Sequence, residues 1–564
     1  MRYKIVAILC ILFILWFTTQ PVEMNWTETD RHLTEVICGV VIVAALMSIW
    51  RKQQIVLSAV DAVTFLWFLY VMIRVYVNPV YPCADFCLRA MQIFSLYMTA
   101  RLLFTSVTLS ECVLVIGILL CAGYEVVVGA CQLINGNSRH YLYALSGTFL
   151  NPGPYSAFLA MGLVMSCKLR KGYWLPALFA ILLPATWSRA ALVSVVICIG
   201  IIYWEQWKQW RWWIFTVIFL VMTGLYFLKQ GSADGRVIIY MISLICICHN
   251  PIFGSGIGSF CHQYAEEMAK FSLQHPEFDF HSADITSNAY NIILQIGVEQ
   301  GLFGICLAVA LVFLVLSLLN IKGKILGMGL FCLLIFSMFS YPFEQLPYQV
   351  VFVLVAAYAG TDKRECIMST KCQKRYFRFI APVLLTTCVI LFSMYNRKQI
   401  KERAYAESEY RIIAGVNNTT FIDDYYELFP FMVSDEHFLF DFSKILAAEH
   451  RYSDSNAMLR LGALISCDPM FYVLQGNNYR EMGFYQEAEH AYLKAFHIMP
   501  NRLYPLYQLM LLYEKMGNKD KMNIVAQRVL SFNEKVISPA IHEMKKKANI
   551  VIIKTKANAI GVIN

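Results

Sequence analysis

Two arginines carry the first chemical suggestion in this chain. Arg189 follows Trp187-Ser188 at the mouth of an apolar run, and Arg236 follows Gly235 at the start of another. An ionisable side chain at such a place is costly unless it pairs or faces a cavity. A functional site is therefore one reading of Arg189, and an interfacial anchor reaching for the headgroups is the other. Val237 to Cys248 reads as an amphipathic helix closed by His249-Asn250-Pro251. The glycines of Phe253-Gly254-Ser255-Gly256-Ile257-Gly258 then ask for a tight turn with close backbone approach. No Gly-Lys-Ser/Thr follows, so this is not a phosphate-cradling loop; a re-entrant or interfacial helix fits it. Farther on, His275, Glu277, Asp279, His281 and Asp284 offer acid–base chemistry or are simply solvated. Their spacing matches no metal motif. Glu299 lies in or near an apolar run, where a carboxylate calls for a partner.

The elements that must position these residues are membrane helices. Of 564 residues, 58% are hydrophobic and 15% charged, against about 25% charged in an ordinary soluble domain. The mean hydropathy is +0.53. These values exclude a soluble globular, a disordered and a fibrous chain. The net charge of +9 does not signal nucleic acid, because the cations sit in short clusters between apolar runs. Composition changes sharply near Asn396, which divides a polytopic membrane domain, 1–396, from a soluble domain, 397–564. Thirteen runs near the length of a span fall at 4–19, 35–50, 59–77, 87–105, 111–132, 152–167, 174–187, 190–204, 212–229, 291–319, 325–341, 346–360 and 379–395. The predicted fold is all-α: twelve or thirteen spans, then a helical domain. Alternate gaps are basic (Arg51-Lys52, Lys168 to Lys171, Lys208 to Arg211, Lys322 to Lys324, Lys363 to Arg378), which puts the N-terminus in the cytoplasm and, with an odd span count, the C-terminal domain outside. The longest outside gap is about 229–290. Most of the 18 cysteines lie in apolar runs as small hydrophobes. Cys83 and Cys87 at an outside gap are either a disulfide or two unpaired thiols.

Four segments together resemble the superfamily of O-antigen ligases, O-antigen polymerases and protein O-oligosaccharyltransferases. They are Gly147-Thr148-Phe149-Leu150-Asn151-Pro152, Trp187-Ser188-Arg189-Ala190, Gly235-Arg236 through Pro251-Ile252-Phe253-Gly254-Ser255-Gly256, and Ala289-Tyr290-Asn291 through Glu299-Gln300-Gly301. The resemblance spans roughly 140–345. It implies a bacterial inner-membrane enzyme with its C-terminal domain in the periplasm. Such an enzyme moves a glycan from an undecaprenyl-diphosphate carrier to a hydroxyl of lipid A core, a glycan or a protein. It also implies that Arg189 and Arg236 neutralise the departing diphosphate, since guanidinium binds phosphate oxygens bidentately and stays charged. No metal or other cofactor is then required, and attack from the opposite face inverts the anomeric centre. Asn151, Asn291, Glu299, Gly254 and Gly256 are implied substrate contacts. The family's histidine is replaced here by Tyr290, whose phenol is a poor base unless an arginine lowers its pKa. His281 or Asp284 is then an alternative base, and a loose transition state that needs none is another.

Beyond Asn396 a 34-residue repeat emerges, with Tyr472, Gly476, Tyr479, Gly483, Ala488, Tyr492, Ala495 and Pro500 at tetratricopeptide positions. One unit cannot bury its face alone, so about three are expected. Such a solenoid recruits a protein partner or acts as a spacer. Two further readings compete with transfer: a non-enzymatic membrane anchor for the repeat scaffold, and a transporter. The transporter would show polar mid-span residues and repeated spans, and neither is evident.

Overall fold

The computed structural model describes residues 2–19, 26–51, 57–77, 84–140, 142–169, 172–228, 230–361, 366–368, 377–415, 419–535 and 538–561. Its first half is a bundle of fifteen helices: α1 Arg2–Trp16, α2 Trp26–Trp50, α3 Ala59–Val77, α4 Ala84–Ser106, α5 Glu111–Asn135, α6 Pro152–Leu169, α7 Trp174–Leu182, α8 Arg189–Ile202, α9 Arg211–Leu228, α10 Gln230–His249, α11 Phe260–Gln274, α12 Ile292–Lys322, α13 Lys324–Ser337, α14 Leu346–Ala359 and α15 Phe377–Ile413. A short antiparallel pair, β1 Leu57–Ser58 and β2 Cys366–Met368, is the exception to an otherwise helical chain. Cys83 lies outside the described residues, and with it the Cys83–Cys87 pairing.

A helix apolar on every side must be buried on every side. Accordingly α6 is the axis of the bundle: every residue from Pro154 to Cys167 is buried. Small residues, among them Ala157, Ala160 and Gly162, let α5, α7, α8 and α13 approach it closely. The core continues through α14, buried from Val353 to Ala359.

Helices occupy all thirteen expected spans, but length and apolarity alone single out a different set. Among the described residues six helices are long and apolar enough to cross a membrane, and one of them is α10, which the sequence places in an outside gap. Four further apolar helices are shorter. Ile238, Ile239, Ile242 and Cys246 of α10 belong to an apolar cluster that also takes in Phe260, Tyr264 and Met268 of α11 and Cys467, Ile498 and Met499 of the C-terminal domain. Helix α10 packs on α11 and α12, and α11 in turn packs on α18 and α20. The short helices have a consequence too. The α13 start meets the α5 start, where Ile325 N donates to Glu111. Yet α5 has 25 residues and α13 only 14, and 14 residues rise about 21 Å against a hydrocarbon core of about 30 Å. Helix α8, which packs on α13, also has 14 residues, so neither matches the length of α5.

One ion pair is buried within the bundle. Arg101 on α4 forks onto Asp61 on α3 at 2.6 Å through both Nε and Nη2, and Tyr97 donates to the same carboxylate. Exposure of the two side chains is 7% and 13%. Removing one partner strands the other charge, so Asp61→Ala is expected to cost about 3–5 kcal/mol. Thermal unfolding of the purified protein in detergent checks it, with Arg101→Leu/Asp61→Ala partly restored.

The last bundle helix, α15, runs unbroken through Asn396 into the C-terminal domain, so the change of composition falls inside one rigid element. Asn396 Nδ2 donates to Leu88 O and Arg397 pairs with Glu35 at 3.5 Å, fixing that level of α15 to α4 and α2. Eight helices follow: α16 Ile422–Met432, α17 Glu436–Ala448, α18 Tyr452–Ile465, α19 Met470–Met482, α20 Tyr485–Ile498, α21 Tyr504–Lys515, α22 Lys519–Leu530 and α23 Pro539–Gly561. Helices α17, α19 and α21 begin at Glu436, Met470 and Tyr504, a constant 34-residue step, and each packs on the helix that follows it. Gly476 sits under the Tyr492 ring, where a Cβ would come within 2.5 Å, so that small residue lets α19 and α20 touch.

Candidate functional site

The turn just past α13 brings together Arg236, Tyr290 and Asn291, with Arg189 close by. Trp187 turns the chain with φ +51, Ser188 Oγ accepts from Ala191 N to cap α8, and Arg189 opens the helix. Arg189 Nη2 donates to Ser232 Oγ on α10 at 3.1 Å. One turn on, Arg236 Nη1 donates to the carbonyl of Phe339, just past the end of α13, at 2.8 Å. Its guanidinium lies 5.0 Å from the centre of the Tyr290 ring. The two guanidiniums are close enough to feel each other's charge. Among the described residues Arg236 has no carboxylate in salt-bridge contact. Two guanidiniums held near each other suit the binding of an anionic group.

Tyr290 is held at φ +49, a backbone region costly for an aromatic residue. Its carbonyl accepts from Tyr240 Oη at 3.3 Å and its ring packs edge-on against Tyr341 at 5.4 Å. Burial outweighs the opposing pull of Arg236 and raises the Tyr290 phenol above its ordinary range. The arginine therefore does not make Tyr290 a base. Asn291 is spent on structure: Oδ1 caps α12 by accepting from Ile293 N and Leu294 N, and Nδ2 donates to Met338 O. That bond ties the start of α12 to the same α13 end that Arg236 grips.

Tyr290, Asn291 and Tyr341 line a cavity of about 1730 Å³, and Arg236 reaches it through the Tyr290 ring. Its deep wall is apolar, with Phe68, Phe94, Val312, Leu316, Phe331 and Leu334 from α3, α4, α12 and α13. Its waist is polar, with Asn151, Asn288, Tyr290, Asn291, Glu299, Tyr341 and Glu344. Its roof belongs to the C-terminal side, with Glu407, Tyr410, Arg411, Asp435 and His437. Asn151 reaches the cavity from a turn that α5 builds. Glu125, fully buried, accepts from Thr148 N at 3.1 Å and from the Thr148 hydroxyl. Gln132 accepts from Gly147 N and donates to Gly147 O, and Asn151 Oδ1 then accepts from Gly153 N to start α6. Glu299 is 9% exposed and accepts from Gln295 Nε2 at 2.9 Å.

Gly254 and Gly256 face α12 backbone. Ser255 N donates to Val298 O and Gly256 N to Glu299 O. A Cβ on Gly254 would meet Gln300 N at 2.5 Å, and one on Gly301 would meet Gly254 N at 2.4 Å. Both have φ near +67, and Gly301 kinks α12 at this joint. Arg74 and Tyr70 of α3 brace the joint through the carbonyls of Gly254 and Gln300. Gly301→Ala is expected to lower stability by more than about 2 kcal/mol, because backbone on both sides must yield and the φ is strained. A fall in the detergent melting temperature checks it, whereas Gly123→Ala, with open space around it, should change little.

His281 lies next to Ser282, whose carbonyl packs against Gly235. It is exposed, its N–H donates to Asp279 Oδ1, and its carbonyl accepts from Asn501. It does not line the cavity. Asp284 is likewise exposed and pairs with Lys535 at 3.6 Å. This segment is the seam where the loop docks on the C-terminal domain. Thr286 exchanges contacts with Cys467, Glu266 pairs with Lys494 at 2.6 Å, and His262 meets Ala463 O.

The sequence reading misses Glu344. It follows Tyr341-Pro342-Phe343 in the short gap between α13 and α14, and a carboxylate in such a gap was the available signal. Asn288 Nδ2 donates to it at 3.3 Å. Its side chain is exposed along the cavity wall, and desolvation by the groups around it, with the Glu299 charge adding, pushes its carboxyl up to about 8. Among the described residues no group of three or more His, Cys, Asp or Glu side chains is arranged to hold a metal ion.

Residues 175–309 match the family described as O-antigen ligase. The matched stretch includes Arg189, Arg236, Tyr290 and Glu299; Asn151, Glu344 and the helices beyond α15 fall outside it. No curated protein matches the chain. The match and the apolar helices support a multi-pass membrane protein similar to enzymes of ligase- or polymerase-type glycan transfer.

Proposed function

We propose that the chain transfers a glycan from an undecaprenyl-diphosphate carrier to an acceptor hydroxyl at the outer face of a bacterial inner membrane. The observation that carries this reading is the neighbouring pair Arg189 and Arg236, with Arg236 stacked on Tyr290, a residue of the cavity wall, and unpaired by any described carboxylate. Diphosphate leaves with developing negative charge, and preorganised cations stabilise that charge most effectively where water is scarce. The apolar wall suits a polyprenyl chain, and the polar waist of Asn151, Asn288 and Tyr290 suits sugars. The two guanidiniums supply the charge a metal would otherwise bring, and the acceptor approaches opposite the diphosphate, inverting the anomeric carbon. The alternating basic gaps support a cytoplasmic N-terminus, and the docking of the C-terminal domain at the arginine end supports its periplasmic placement.

The 34-residue step of helix pairs supports a tetratricopeptide-like domain. It roofs the cavity with Glu407, Asp435 and His437, which favours a part in holding the acceptor over a remote spacer. A membrane-anchored scaffold without activity is the competing reading, and the tyrosine at position 290 is its best support.

The deciding experiment compares undecaprenyl-linked glycan in cells with and without the protein. Accumulated long chains identify a ligase or a protein transferase, and accumulated single repeat units identify a polymerase. Unchanged carrier-linked glycan would reject transfer and favour the scaffold.

A further inference from the structure

We propose that Glu344 is the proton acceptor for the attacking hydroxyl, in place of the histidine that the resemblance expects where Tyr290 stands. The proposal rests on the glycan-transfer reading above and adds to it a residue outside the matched stretch.

The argument is one of availability and position. The cavity is lined by four carboxylates, and three are committed. Glu299 accepts from Gln295, Glu407 is held by Arg403 at 3.1 Å, and Asp435 caps α17 by accepting from Phe438 N. Glu344 has a single long contact, 3.3 Å from Asn288, which leaves its other oxygen free toward the cavity. Its backbone N–H donates to Tyr341 O, and the Tyr341 ring packs on Tyr290, which in turn lies under Arg236. Glu344 is thus joined to the arginine pair by a short run of contacts and lies on the polar waist where a sugar hydroxyl would enter. The groups facing it are Glu299, Tyr290, Tyr341 and Cys261, with Arg236 as the neighbouring cation. A base titrating near the working pH is best matched to this task, and the desolvation of Glu344 beside the Glu299 charge acts in that direction.

In the step itself, the hydroxyl oxygen bonds to the anomeric carbon as the bond from that carbon to the diphosphate oxygen breaks. The bonding pair leaves with the diphosphate, beside Arg189 and Arg236, and the hydroxyl proton passes to the Glu344 carboxylate. That proton then returns to water or to the diphosphate.

The test uses the full chain in lipid nanodiscs. The donor is undecaprenyl-diphosphate-linked glycan, and the acceptor source is membranes of the parent strain lacking the protein. Glu344→Gln keeps the shape and is expected to lower kcat by about 10²- to 10⁴-fold with the donor KM unchanged, while Glu344→Asp keeps measurable activity. In the wild type the rate should rise with pH between about 6 and 9 as the carboxylate form becomes populated, and Glu344→Gln should lose that limb. An active wild type with an equally active Glu344→Gln overturns the assignment of Glu344 alone. If Glu344→Gln fails to fold, the wild-type profile still decides, because a rate independent of pH across that window overturns the assignment. A wild type inactive with this donor overturns the transfer reading itself.

Discussion

Arg236→Ala is expected to abolish transfer, lowering kcat by at least about 10²- to 10³-fold, while the protein still inserts and folds. The guanidinium makes one hydrogen bond, to Phe339 O, and stacks on Tyr290. Losing that bond costs the fold only about 0.5–1.5 kcal/mol, and the loss also removes a like charge beside Arg189. In the transition state the deficit is far larger, because the departing diphosphate loses half of its cationic receptor inside an apolar recess. Arg236→Lys should recover only part of the rate, since an ammonium cannot fork onto two phosphate oxygens. The measurement is single-turnover transfer from carrier-linked glycan, with melting temperature as the folding control. Full activity of the alanine variant at normal expression would remove the arginine pair from the mechanism.

Ending the chain after Ile413 should be equally damaging, and through the fold of the site. Cys467, Ile498 and Met499 of the C-terminal domain complete an apolar cluster with α11 and α10, and α11 packs on α18 and α20. Burying a side chain of this kind contributes about 1.5–3 kcal/mol, so uncovering the cluster loosens α11 and with it α10, the helix that carries Arg236. The seam would lose Glu266–Lys494 and the Asn501 contacts to His281 and Ala283 as well. The expected outcome is a protein that inserts, transfers nothing, and is cut by protease within 260–290 where the full chain resists. Lys494→Glu, which places two carboxylates together at Glu266, should give a milder form of the same defect. If the truncated chain transfers at the wild-type rate with an intact loop, the C-terminal domain is dispensable to the site and serves recruitment only.

Much of this was written in local sequence, where period and composition act without help from the rest of the chain. The apolar runs place helices at all thirteen expected positions, and the 34-residue step is visible in Tyr472, Gly476 and Tyr492 before any packing is known. Arg189 and Arg236 could be singled out because a charge beside an apolar run requires a reason. Tertiary structure decided the rest. It paired the two arginines through Ser232 and Phe339, since separation along a chain says nothing about separation across a bundle end. It set α10 against α11 and α12 in one apolar cluster that reaches the C-terminal domain, which hydropathy does not announce, because burial depends on what covers a face. It turned Gly254, Gly256 and Asn291 toward backbone joints, and set Tyr290 at a positive φ that no residue type announces. It also raised Glu344 into view, since a glutamate in a short gap is unremarked until it stands along the cavity wall. Sequence alone determined which segments are helical and where charge is out of place; only the folded chain decided which of those charges meet, because that depends on contacts between elements far apart in the chain.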